Sequence, residues 1–201
     1  DNIIYEFSGG ATNATVSGLP AGVTFNSSAG FLTISGTPPA ATGTTQVYPY
    51  TVTTQGGNCT PPASLTGTIT IDPDDVLSLS SGTDLQVLCE GNPITNIIYE
   101  FSGGATNATV TGLPTGVTAA VTSNQLTISG TPSAGITTTQ TYAYTVTTSG
   151  PCASVQLSGT ITVNPDDALT LTSAVGTNSQ ELCDAENLVD IVYEFSEGAT
   201  D

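Results

Sequence analysis

Two stretches decide the reading: Asn2–Thr24, NIIYEFSGGATNATVSGLPAGVT, and Asn96–Thr118, NIIYEFSGGATNATVTGLPTGVT. These 23-residue segments differ only at Ser17/Thr111 and Ala21/Thr115, which sets a period of 94 residues. A third copy opens at Asp190 as DIVYEFSEGATD. Landmarks between the copies recur as well. LTISGTP starts at Leu32 and Leu126, YPYTVTT and YAYTVTT at Tyr48 and Tyr142, LTGTITIDPDD and LSGTITVNPDD at Leu65 and Leu157, and LC at Leu88 and Leu182. Repetition at a fixed spacing marks an array of like structural units, so the repeat organises everything else in the chain.

Inside a unit the apolar residues alternate, which is the signature of strands. Tyr142, Tyr144 and Val146 alternate with Ala143, Thr145 and Thr147. Leu157, Gly159, Ile161 and Val163 alternate with Ser158, Thr160 and Thr162. The same phase puts Ile97, Tyr99 and Phe101 inward and Ile98, Glu100 and Ser102 outward. Short strands punctuated by GG, GLP, SGTP and SG turns, with no helical stretch, describe an antiparallel sandwich of about seven strands per unit.

Charge narrows the chemistry. The 201 residues carry 17 Asp and Glu and no Lys, Arg or His, a formal net charge of −17. Nothing here can neutralise a phosphate, so nucleic acid and anionic membrane surfaces are excluded as partners. Lysine and histidine bases, arginine clamps and imidazole metal ligands are absent too, which removes most enzyme classes. Without His or Lys no base stands ready to activate the abundant Ser and Thr hydroxyls, and the chain is read as a non-enzyme. No apolar run approaches the ~18 residues of a membrane helix, and no signal peptide is evident. The opening DNIIYEFSGG reads as mid-strand, so a longer parent chain is expected.

The segments GLPAGVTFNSSAGFLTISGTP and YPYTVTT within residues 18–54, and their counterparts GLPTGVTAAVTSNQLTISGTP and YAYTVTT within 112–148, resemble the Ig-like, cadherin-like repeats of bacterial surface proteins. Their hallmark is LPxGV, a strand ending in ISGTP and a Tyr-rich strand ending in TVT. The LCEG…IIYEFSGGAT and DPDD segments further resemble the giant repetitive adhesins of gliding, Bacteroidetes-type bacteria, of the SprB type. The resemblance implies an all-β fold of tandem Ig-like antiparallel sandwiches in an elongated array. It implies an extracellular, cell-surface stalk or adhesin, with a role in attachment or gliding motility, and no particular ligand.

The junction Asp72-Pro-Asp-Asp75, repeated as Asn164-Pro-Asp-Asp167, divides the chain into 1–72 (an Ig-like repeat lacking its first strands), 73–165 (a complete repeat) and 166–201 (the first strands of a third). Pro ends a strand, and a polar run follows it. Four cysteines stand at 59, 89, 152 and 183. On Ig-like strand order, Cys89 closes strand B and Cys152 lies in the F–G loop, at the same end of one sandwich. A Cys89–Cys152 disulfide is therefore expected, with Cys59 and Cys183 pairing outside this sequence and an oxidising compartment implied. No CxxC spacing supports zinc.

Asp72, Asp74 and Asp75, with their counterparts Asn164, Asp166 and Asp167, are the calcium candidates, because this hard cation takes carboxylate and carbonyl oxygens. The competing reading is a solvated turn with Pro blocking edge pairing. Glu6, Glu100 and Glu194 lie on the outward phase, with no second acid beside them for glycosidase chemistry. Asn13, Asn26 and Asn107 begin N-x-S/T sequons, which arise by chance at this Thr density. The seven tyrosines share the core phase, so packing outranks a sugar-stacking role.

The functional expectation is a structural spacer in which each unit adds roughly 35–40 Å, from ~10-residue strands. Its partners are neighbouring repeats of the same chain, with lateral or inter-chain filament assembly as an extension. Uniform negative charge keeps such stalks apart, and the lack of Lys and Arg leaves no trypsin sites. The alternative is a repeated module binding a surface glycan through its B–C and F–G loop ends.

Overall fold

The computed structural model describes residues 2–57 and 61–197. It is all-β and divides into two compact units. The first comprises Asp1–Val76 with Ser102–Thr106 and Ser149–Ser154, and the second comprises Leu77–Phe101, Asn107–Thr148 and Val155–Asp201.

The first unit is built from β1 (Ile3–Glu6), β2 (Asn13–Ser17), β3 (Val23–Ser28), β4 (Phe31–Gly36), β5 (Gln46–Gln55) and β6 (Ser64–Ile71). One sheet runs β1-β4-β3 and the other β2-β5-β6, all antiparallel. Ala14, Leu32, Ile34, Tyr50 and Val52 form the core between them.

The second repeat carries β7 (Asp75–Ser81), β8 (Leu85–Cys89), β9 (Ile97–Gly103), β10 (Asn107–Thr111), β11 (Val117–Thr122), β12 (Gln125–Gly130), β13 (Gln140–Ser149) and β14 (Gln156–Asn164). Its sheets run β11-β12-β9-β7 and β10-β13-β14-β8. Strands β9 to β14 repeat β1 to β6, and the expected inward set is buried: Ile97, Tyr99, Phe101, Tyr144, Val146, Ile161 and Val163 are each 1 % exposed or less. The repeat is an Ig-like β-sandwich. Of the third copy, β15 (Asp167–Leu171) pairs antiparallel with β16 (Tyr193–Glu197).

One strand departs from the antiparallel expectation. β8 pairs parallel with β14, with Leu85 opposite Thr160 and Cys89 opposite Asn164. It therefore adds an edge strand to the second sheet and is not the next strand of the first. Along it Gln86 turns inward and is tied to the Thr95 backbone by two hydrogen bonds, 2.7 and 2.9 Å.

Two glycine-dependent contacts explain the recurring motifs. In LPxGV…ISGTP, Gly36 and Gly130 both have φ of +132°, and a Cβ on either would fall 2.2–2.4 Å from the carbonyl oxygen of Gly22 or Gly116. The motif is thus the close backbone approach at the β3–β4 and β11–β12 hairpins. The second contact lies in the core. Tyr5 and Tyr50 share a hydroxyl hydrogen bond of 2.9 Å, and Tyr99 and Tyr144 share one of 3.2 Å. Gly67 and Gly159 lie under the second tyrosine of each pair, where a Cβ would sit 2.4 Å from the Tyr50 or Tyr144 ring end. At Gly159 it would also sit 2.4 Å from the Asp84 carbonyl oxygen.

Gly159→Ala is therefore expected to overpack the core and destabilise the second repeat by about 1–3 kcal/mol. Thermal or urea unfolding followed by tyrosine fluorescence would measure it; a neutral outcome would show that Tyr144 does not depend on this gap.

Candidate functional site

The first unit gathers three chain segments around Asp72–Val76. Pro73 and Asp75 are buried while Asp74 is exposed, as extended backbone requires when successive side chains point to opposite sides. The Gly104 amide donates to the Asp74 carbonyl at 3.1 Å. A Cβ at Gly104 would fall 2.2 Å from the Pro73 carbonyl oxygen, and one at Gly150 would fall 2.6 Å from Asp75 Oδ1. The GG of the repeated GGAT and the SG after β13 thus leave room for the Asp75 carboxylate and for Pro73.

The calcium candidates Asp72, Asp74 and Asp75 take separate places in this geometry. Among the described residues no group of three or more His, Cys, Asp or Glu side chains is placed to hold a metal ion. Asp72 accepts instead from the Thr45 hydroxyl at 2.7 Å, Asp74 faces solvent and Asp75 turns inward. Asn164 accepts from the Thr139 hydroxyl at 2.9 Å, and Asp166 and Asp167 are exposed. The carboxylates diverge because the strand alternates.

The expected Cys89–Cys152 bridge is not seen. Cys89, Cys152 and Cys183 are free thiols, while Cys59 lies outside the described residues. The parallel register of β8 is the reason. Cys89 stands beside Asn164 at the last residue of β14, whereas Cys152 precedes the first residue of that strand. The length of β14 is about 26 Å, and the four-residue connection from Cys152 spans at most about 14 Å. The remaining gap exceeds the ~7 Å that a disulfide can bridge. The sequence reading placed Cys89 on the second strand of an antiparallel series; the structure makes it an edge strand running alongside the last one.

Cys152 instead donates its thiol to the Asp72 carbonyl at 3.7 Å. Partial burial and the nearby carboxylates of Asp74, Asp72 and Asp75 raise its pKa, since each disfavours a second negative charge.

Glu90 is a residue that the sequence reading passed over. The amides of Gly135 and Ile136 donate to its Oε2, at 2.5 and 2.9 Å. The Ile136 bond, with smaller help from Gly135 and Asp166, holds its carboxyl below the usual 4.5 against the opposing effect of desolvation. The residues that meet Glu90 lie 45 and more positions away, so no local motif announces the clamp.

The remaining candidates take structural places. Glu6, Glu100 and Glu194 are exposed, and Glu100 accepts from Gln125 at 2.9 Å. Asn13, Asn26 and Asn107 are exposed on strands. Outward hydroxyls pair across β13 and β14, Thr141 with Thr162 at 3.3 Å and Thr145 with Ser158 at 3.0 Å. Tyr50, Tyr99 and Tyr144 are core residues, whereas Tyr193 is 48 % exposed. The bond to Tyr5, then burial, push Tyr50 up to about 12; burial leads in raising Tyr99, against the bond from Tyr144, and in raising Tyr144, where the bond to Tyr99 adds to it. A cleft of about 260 Å³ in the first unit is lined by Tyr5, Phe7, Ala14 and Val52 among others. Their counterparts Tyr99, Phe101, Ala108 and Val146 are 2 % exposed or less in the repeat that contains β7 and β8.

The model of the family described as "Putative Ig domain" matches residues 2–72. No curated protein matches the chain. Solved structures similar to it include protocadherin gammaB7 EC3-6 (14 % identity over 92 % of this chain and 51 % of that one, TM-score 0.40). A chimeric titin Z1Z2 carrying a decorin peptide shows 11 % identity over 82 % of this chain and 89 % of that one, TM-score 0.37. The human desmocollin-1 ectodomain shows 14 % over 80 % and 36 %, TM-score 0.36. The chain thus spans about half of the protocadherin fragment and about a third of the desmocollin ectodomain.

Two outcomes follow from the electrostatics. Asp74→Asn removes the largest charge effect on the thiol, so Cys152 should alkylate about two- to threefold faster at pH 8, read by mass spectrometry of its peptide. An unchanged rate would mean that the acidic segment does not govern Cys152. For Glu90 the folded value lies below the unfolded one, so its contribution is present above pH 4.5 and is lost as pH falls through the lowered folded value. Glu90→Gln should accordingly lower Tm at pH 7, with the gap to the parent protein closing below pH 4.5. A gap that does not close would contradict the clamp.

Proposed function

We propose that this chain is part of a tandem Ig-like array acting as a structural spacer in an extracellular surface protein, of the kind that long bacterial adhesins use in attachment or gliding. The repeats are taken as 1–72, 73–165 and 166–201, joined at Asp72-Pro73 and Asn164-Pro165. The observation that carries the reading is that successive 94-residue copies keep one core. The tyrosine pair, the glycine beneath it and the hairpin glycines recur at matching positions.

The packing residues recur from copy to copy, and Thr, Ser and acidic residues make up much of the outward face. Such a face suits a solvated support, since like charges repel neighbouring stalks over about a Debye length. The lack of any cationic side chain supports a non-enzymatic role and no nucleic-acid partner. No helix among the described residues is long and apolar enough to cross a membrane. The coarser reading, a structural or adhesion-type Ig-like repeat, also has the family match over residues 2–72 behind it.

Single-molecule pulling on the full chain tests the reading. A complete repeat should unfold as one event that lengthens the chain by about 270–300 Å, the extended length of some ninety residues less their folded span. A glycan array run on the same protein should stay blank. Unfolding without discrete events would refute the mechanical role, and saturable sugar binding abolished by loop substitutions would favour a glycan-binding module.

A further inference from the structure

Two cysteine positions recur in the sequence, Cys89 with Cys183 and Cys59 with Cys152, and in the second repeat Cys89 and Cys152 lie beyond opposite ends of β14. Two contacts, each inside one compact unit, show where these positions lead. In the second repeat Cys89 stands opposite Asn164, and the amide of the next residue, Glu90, donates to the Asn164 carbonyl at 2.9 Å. The counterpart of Asn164 one repeat earlier is Asp72, by the shared ITIDPDD and ITVNPDD segments. The Asp72 carbonyl receives the Cys152 thiol at 3.7 Å.

One carbonyl position, at the end of the last strand of a repeat, therefore serves two donors. One donor is the Cys–Glu peptide of that same repeat, and the other is the loop thiol of the following repeat. A carbonyl oxygen has two lone pairs and can take both donors. Neighbouring parallel strands lie ~4.8 Å apart, and the loop thiol lies 3.7 Å from the equivalent carbonyl, so both cysteine positions are brought to the end of the same strand. Cys89 is exposed, on the outward phase opposite to Leu88, which leaves its sulfur open to a partner and to an oxidant.

We infer that the cysteines form a ladder of disulfides between successive repeats, each linking the Cys89 position of one repeat to the Cys152 position of the next. The inference rests on the tandem-array reading above. In the step, a thiolate attacks an external disulfide oxidant such as oxidised glutathione and forms a mixed disulfide. The second cysteine thiolate then displaces glutathione, so one protein S–S bond forms. The two thiols lose two protons and two electrons, and the oxidant is reduced to two glutathione thiols. Within residues 1–201 the partners of Cys89 and Cys152 fall outside the sequence, one repeat after and one repeat before. That accounts for two free thiols at opposite ends of one strand.

The test extends the full chain by a further copy of residues 108–201, which supplies the next loop cysteine, and carries Cys152→Ser so that this cysteine is unique. The protein is oxidised with a glutathione redox pair, isolated as monomer, and mapped without reduction by a protease that cleaves at Glu. A crosslink between Cys89 and the added loop cysteine, with iodoacetamide labelling of Cys89 falling about tenfold and restored by reductant, is the expected result. Cys89→Ser should leave the added cysteine fully labelled. If the extended chain shows the added repeat folded, by a second unfolding event, yet both thiols label freely or pair elsewhere, the disulfide ladder is overturned and the array reading stands. If the added repeat does not fold, the array reading fails and the ladder fails with it.

Discussion

The sandwich depends on a pair of tyrosines whose hydroxyls meet between the sheets, the second ring of each pair lying over a glycine. Tyr99 comes from β9 and Tyr144 from β13, so their bond joins one sheet to the other. Gly159 on β14 leaves the volume that the Tyr144 ring occupies. The arrangement satisfies two buried hydroxyls with each other and adds the Asp84 carbonyl at 3.4 Å, which removes the cost of burying unpaired polar groups. The first unit repeats it with Tyr5, Tyr50 and Gly67, the rings meeting edge to face at 6.4 Å. Leu126, Ile128, Val146, Ile161 and Val163 are among the aliphatic residues buried with them in the core.

The parallel strand β8 gives the repeat its direction. An edge strand of this kind runs with the last strand of the sheet, so its end and the end of β14 lie together. Cys89, Glu90 and the junction to the next segment consequently share one end, while the loop bearing Cys152 belongs to the other. Glu90 fixes that end by accepting from Gly135 and Ile136. A carboxylate held by backbone amides keeps its charge without a cation, which suits a chain that has none. The same lack of cations shapes the Cys152 surroundings, where nothing offsets the partial burial and the three aspartates that raise its thiol.

The acidic composition and the Thr-rich faces act together. Without salt bridges, the sheet surface relies on hydroxyl pairs such as Thr145 with Ser158, and on β-branched side chains that fit the pleat. Negative charge keeps the edges soluble and discourages edge-to-edge pairing between chains.

The sequence by itself determined the repeat, the strand class and the inward phase, because a 94-residue self-match and a period of two are local properties that packing only has to accept. It located Tyr99, Tyr144, Ile161 and Val163 in the core and Glu6, Glu100 and Glu194 on the surface. It also marked the glycines of LPxGV and ISGTP without giving their purpose, which is the contact of Gly36 with the Gly22 carbonyl and of Gly130 with that of Gly116. Only the tertiary structure decided the direction of β8, and with it the fate of Cys89 and Cys152. Parallel and antiparallel pairing turn the same alternate residues inward, the buried Gln86 and the half-buried Leu88, so hydrophobic pattern cannot distinguish them. The divergence of Asp72, Asp74 and Asp75 and the Glu90 clamp were likewise hidden, since both rest on which distant backbone, that of Gly104, Gly150, Gly135 and Ile136, the fold brings alongside.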